Sequence, residues 1–162
     1  MTVDGAFELA LVRGLCRIVR DRPFYFIGSY LYFCAGQEMA EKIVIKVGEN
    51  VLEAQLNDSL TAKAIFDALP IGAKAQRWGG EIYFSIGVGC ELEGDSRDVM
   101  AEGELGYWPP GKAFCIFFGP TPASGGDEIR AASAVNIVGR LKGDASVLWD
   151  VPDGADVYIE KA

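Results

Sequence analysis

From Lys42 to its end the chain is a succession of short apolar/polar alternations cut by Gly, Pro, Asn and Asp, and that rhythm constrains the fold most. A period of two places every second side chain on one face of an extended strand, so each run reads as half-buried. Ile43, Ile45 and Val47 alternate with Lys42 and Lys46. Gly48-Glu49-Asn50 turns the chain, and Val51 to Leu56 alternates again, which predicts a hairpin. Asn57-Asp58-Ser59 supplies capping oxygens for a helix carrying Leu60, Ala64, Ile65, Ala68 and Leu69 at helical spacing. Pro70 stops that helix, which is predicted to plug one end of the domain.

Further strands are predicted over Ala73–Trp78, Glu81–Ile86, Gly103–Trp108, Ala113–Phe118, Ser133–Leu141 and Asp156–Glu160. Gly79-Gly80 permits a tight bend, and Pro109-Pro110-Gly111-Lys112 turns the chain between two strands. Residues 87–98 and 119–130 read as loops, and Asp144–Trp149 as one helical turn. About eight short strands and one clear helix result. Such a chain is expected to close its sheet, because an open one leaves unpaired edges. The expected fold class is mainly β, a closed eight-stranded barrel with one or two short helices.

The domain is placed at residues 39–162, with residues 1–38 as an N-terminal extension of different character. All four basic residues before Met39 are arginine, Arg13, Arg17, Arg20 and Arg22, whereas every lysine comes from Lys42 onward. Phe24 to Phe33 is aromatic and shows no clean period. Three readings fit the extension: translation starting at Met39, a targeting segment, or an additional helix and strand. The first is preferred. The apolar run of about a dozen residues is shorter than the roughly 20 that span a bilayer.

Composition narrows the chemistry. The chain has no histidine, which removes imidazole acid–base catalysis, Ser-His-Asp and Cys-His pairs, and histidine zinc sites. Its four cysteines, Cys16, Cys34, Cys90 and Cys115, match no metal spacing, and Cys115 lies in the apolar run of a buried strand. No cofactor or metal is expected, and a reduced cytoplasmic setting fits. The net charge of −8 argues against a nucleic-acid partner, since phosphate binding needs clustered Lys and Arg.

Three segments carry a family resemblance. They are Trp78-Gly79-Gly80-Glu81-Ile82-Tyr83-Phe84-Ser85, the run from Gly106 to Gly119 (GYWPPGKAFCIFFG) followed by Thr121-Pro122, and Ala132 to Gly139 (ASAVNIVG). In this order they resemble the cyclophilin-like family of small prokaryotic proteins, over about residue 42 to the C-terminus. The resemblance implies a closed eight-stranded barrel with helices near its ends, as in cyclophilins. It implies no particular activity.

Six residues are candidates for a surface groove: Arg77, Glu81, Tyr83, Tyr107, Trp108 and Asn136. Glu81 and Tyr83 share one face of a strand, offering a carboxylate and a phenol. Tyr107 and Trp108 precede a rigid diproline turn that suits aromatic stacking on a ligand. Asn136 is a polar amide among Val135, Ile137 and Val138. Arg77 falls roughly where a prolyl isomerase of this fold needs an arginine aimed at the prolyl nitrogen. The preferred function is a noncatalytic module binding a small molecule or extended peptide. The runner-up is a weak prolyl isomerase using Arg77, and the third reading is a homo-oligomeric interaction domain. No membrane partner is expected.

Overall fold

A computed structural model describes residues 25–27, 30–32 and 40–162. The chain divides into two units, Met1–Met39 and Ala40–Ala162. In the first, β1 (Tyr25–Ile27) pairs antiparallel with β2 (Tyr30–Tyr32). The expectations for the remainder of that unit, including a start at Met39, lie outside the described residues.

In the second unit, the predicted hairpin forms from β3 (Lys42–Val47) and β4 (Asn50–Leu56), in register from Lys42↔Gln55 to Val47↔Asn50. Ile43, Ile45 and Val47 are buried, as their alternation requires. Helix α1 (Leu60–Asp67) begins where Ser59 accepts a hydrogen bond from the Ala62 amide at 3.1 Å, an N-cap satisfying one of the free amides of the first turn. It buries Ala62 and Ile65 in the same core as the hairpin.

The remaining strands are β5 (Ile71–Lys74), β6 (Gln76–Arg77), β7 (Glu81–Ser85), β8 (Arg97–Met100), β9 (Glu104–Trp108), β10 (Ala113–Phe117), β11 (Ile129–Lys142) and β12 (Asp156–Lys161). They join the hairpin in a ten-stranded sheet of order β5-β12-β3-β4-β11-β9-β10-β7-β6, with β8 on β11 outside this path. The domain is therefore mainly β, with one α-helix and two short 3-10 turns, at Pro109–Gly111 and Ala145–Asp150.

The expectation of a mainly β fold holds, and the hydrogen-bonded path is that of a ten-stranded sheet with two ends. Those ends, β5 and β6, are separated along the chain only by Ala75, whose amide and carbonyl pair with Ala155 and Gly154 at 2.8 Å each. Two expected loops are also revised. Arg97–Met100 is a strand rather than the end of a loop, and β11 begins at Ile129 rather than Ser133. The two pair with each other across a register shift between Arg130 and Val135. Such a bulge breaks the local alternation that a sequence reading relies on. Arg130 fastens the pair by bonding Asp98 and Glu128.

The sheet buries two clusters on opposite faces. The larger holds Ile82, Phe84, Leu105, Tyr107, Phe114 and Ile116 with the hairpin and helix residues. The smaller holds Met100, Ala113, Cys115, Phe117, Ile129, Ala131 and Val135, with Tyr83 and Trp108 packed on it. We call the first face inner and the second outer.

Candidate functional site

Strand parity decides which candidate side chains meet. In the β7–β10 ladder Glu81 faces Phe117, Tyr83 faces Cys115 and Ser85 faces Ala113. Directly opposed residues share a face, so Glu81 and Tyr83 stand on the outer face. Trp108 pairs with Ala113 and stands there too. Trp78 joins them because the Gly79-Gly80 bend folds it back on Glu81, with backbone bonds of 2.9 and 3.3 Å between residues 78 and 81. Only glycine fits at position 80: a Cβ there would collide with the backbone of Gly119.

These four residues line one cavity of about 150 Å³, with Ala131, Ala132 and Val135 of β11 forming the remaining wall. The Trp108 ring is held on two sides. Its indole N–H donates to Ser133 Oγ at 2.8 Å. Its benzo edge lies over Gly111, where a Cβ would come within 2.5 Å of the ring. The diproline turn therefore positions the ring by leaving out a side chain rather than by supplying one.

Glu81 is only 6 % exposed, and it is the sole charged residue buried among those described. Burial raises its carboxyl pKa above the ordinary value, while a hydrogen bond with the Cys115 thiol opposes that rise. The thiol itself is pushed well up, first by burial and then by the neighbouring Glu81. Cys115 is thus a protonated core group rather than a nucleophile.

The other three candidates lie away from the cavity. Arg77 pairs with Ile82 and so faces the inner side. Its guanidinium donates to the carbonyls of Trp149 (2.6 Å), Val151 (3.1 Å) and Gly79 (3.3 Å), and stacks 5.1 Å over the Trp149 ring. It ties the 145–150 turn to the end of the sheet. Tyr107 is fully buried on the inner face, its hydroxyl donating to Val88 O at 2.7 Å and accepting from Cys90 N at 3.1 Å. We expect Tyr107→Phe to destabilise the domain by about 1.5 kcal/mol, because it strands the Val88 carbonyl and Cys90 amide. Urea unfolding measures this loss, and the cavity, on the other face, should be unchanged.

Asn136 pairs with Tyr107 and is likewise buried and inward. Its amide donates to Thr61 Oγ1 and Glu91 O, both at 2.8 Å, and its Oδ1 accepts from Glu93 N at 2.9 Å. Glu93 in turn accepts from the Thr61 amide at 2.8 Å and from its hydroxyl. This network binds the loop after β7 to the start of α1. Trp78, Ala131, Ala132 and Val135 were missed as lining residues in the sequence. The available signals were the tryptophan one tight bend from Glu81 and a pair of alanines opening a strand.

Among the described residues, no cluster of three or more Cys, Asp or Glu side chains is placed to hold a metal. No described helix is long and apolar enough to cross a membrane.

A mainly β domain with an aromatic cavity on one face of its sheet is the class that fold and site define. A family model described as Cyclophilin-like matches residues 41–160, and the chain belongs to that family. It is similar to a hypothetical protein of Archaeoglobus fulgidus whose solution structure is known. The two are 41 % identical, the match covers 79 % of this chain and 99 % of that one, and the TM-score is 0.67. No curated protein matches the chain.

Proposed function

We propose that this cyclophilin-like domain is a noncatalytic binding module that holds a small molecule, or one residue of an extended peptide, in the outer-face cavity. The observation that carries the reading is the convergence of Trp78, Glu81, Tyr83 and Trp108 on one concavity. Trp108 is locked before any ligand arrives, so little ordering entropy is lost on binding. At about 150 Å³ the cavity is smaller than the roughly 300–1,000 Å³ of pockets for drug-sized ligands. It suits a single head group or side chain.

The isomerase alternative has weaker support. It needs an arginine beside the bound amide, and Arg77 is engaged with three backbone carbonyls on the inner side of the sheet. The family's barrel geometry enters the proposal as well. Taking β5, Ala75 and β6 as one continuous strand serving both ends of the path yields eight strands around a closed wall. The free thiols of Cys90 and Cys115 and the acidic balance of the chain favour a cytoplasmic setting.

An NMR fragment screen tests the module. Shifts clustered on Trp78, Tyr83 and Trp108 are expected, and they should vanish in Ala132→Trp, which plugs the cavity from an exposed position. Fragments that shift no cavity resonance, or that bind the plugged variant equally, overturn the proposal.

A further inference from the structure

The outer-face cavity combines two features with different consequences for a ligand. One is a buried acid with no cationic partner among the described residues. The described ion pairs join Lys46 to Glu160, Lys74 to Asp156, Arg97 to Glu104, and Arg130 to Asp98 and Glu128. Glu81 takes part in none of them. Its polar neighbour is the Cys115 thiol, a weak donor. A carboxylate removed from water without a counter-charge is costly, and the charged form is restored when a cation arrives.

The other feature is the set of aromatic rings. Trp78, Tyr83 and Trp108 surround the same space, and the faces of such rings carry negative potential that attracts a cation. A neutral apolar occupant such as a proline ring would use the aromatics and leave the acid uncompensated. An anion would be repelled by both. A cation uses both.

The rest of the lining narrows the type of cation. Ala131, Ala132 and Val135 present methyl groups and no side-chain acceptor. The Ser133 hydroxyl is occupied by the Trp108 indole. A guanidinium would bring five N–H donors and a primary ammonium three. The side chains of the β11 wall offer none of them an acceptor. An alkylated ammonium brings few or none, and its methyl groups pack against rings and alanines alike. Size agrees, because a cavity of about 150 Å³ accepts a group of benzene's dimensions. The net charge of −8 attracts cations from a distance.

We propose that the cavity formed by Trp78, Glu81, Tyr83 and Trp108 binds an alkylated ammonium head group, with Glu81 as counter-ion and the three rings as a cage. This assignment rests on the binding-module reading and names its ligand class.

Choline and its uncharged isostere 3,3-dimethylbutan-1-ol provide the test, titrated into the full chain and followed by tryptophan fluorescence and cavity resonances. Choline is expected to bind about tenfold or more tightly than the alcohol, the contribution of a desolvated cage. Glu81→Gln should erase most of that preference while its backbone spectrum stays that of the wild type. The wild-type protein supplies a second readout that needs no variant. The empty site holds the Glu81 pKa up through burial, and a bound cation stabilises the ionised form. Choline affinity should therefore fall as pH is lowered through that raised pKa, whereas affinity for the alcohol should not. Among the described residues, the titratable groups facing Glu81 are the Cys115 thiol on β10 and the Tyr83 phenol on its own strand, and no Lys or Arg lines the cavity. N-acetyl-trimethyllysine amide, titrated alongside, distinguishes a free cation from a modified side chain, and binding of either upholds the shared chemistry. Alcohol binding as tight as choline binding overturns the cationic assignment and leaves the module standing. If none of these probes moves a cavity resonance, the cationic assignment falls, and the fragment screen alone decides the module.

Discussion

Phe114→Ala is expected to destabilise the domain by about 4 kcal/mol, within the range for removing a buried phenylalanine ring. Phe114 is fully buried at the centre of β10, a strand paired on both sides. Its cross-strand neighbours on the inner face are Phe84 and Tyr107. The Phe84 ring stacks on it with centroids 5.5 Å apart. Two ladders prevent the backbone from collapsing into the space left by truncation, so the lost dispersion contacts are not recovered. Urea denaturation should show a lower midpoint with an unchanged slope. A loss below about 2 kcal/mol would mean that the core repacks around the gap, contrary to this account.

Asn136→Leu should cost about 3 kcal/mol despite adding apolar volume to a buried site. The substitution removes three hydrogen bonds and leaves the Glu91 carbonyl and Glu93 amide without their partner. Each abandoned buried group costs about 1–3 kcal/mol. The loop between β7 and β8 would keep its direct Thr61–Glu93 bonds to α1 but lose the bridge through Asn136. Amide hydrogen exchange distinguishes this mechanism from a general loss of packing. Residues 91–93 should lose protection more than the β3–β4 hairpin does. Equal loss everywhere would contradict the latch role assigned to the network.

The hairpin, the Ser59 cap and the β7 and β10 runs were legible because their own residues state their period. β8 was not, because Arg97–Met100 becomes a strand through pairing with β11 across a bulge that no local pattern announces. Glu81 and Tyr83 could be placed on a shared face from their spacing alone. Whether that face also received Tyr107 or Trp108 depended on the β9–β10 register, which puts Trp108 opposite Ala113. The orientation of Arg77 was hidden for the same reason: its pairing with Ile82 across the Gly79-Gly80 bend turns it inward. Asn136 was balanced in sequence between a contact and a satisfied core amide, and its partners lie far along the chain at Thr61, Glu91 and Glu93. Long-range register and loop contacts, rather than residue chemistry, separated the legible from the hidden.

The alternation along β7 separates two kinds of selective pressure. Ile82 and Phe84 belong to the inner cluster, whereas Glu81 and Tyr83 line the outer cavity. Substitutions at the first pair should register as changes in folding yield, and, on the proposed binding reading, substitutions at the second as changes in recognition. If the cavity binds a ligand as proposed, its preference can change residue by residue along one strand while the sheet beneath stays as it is.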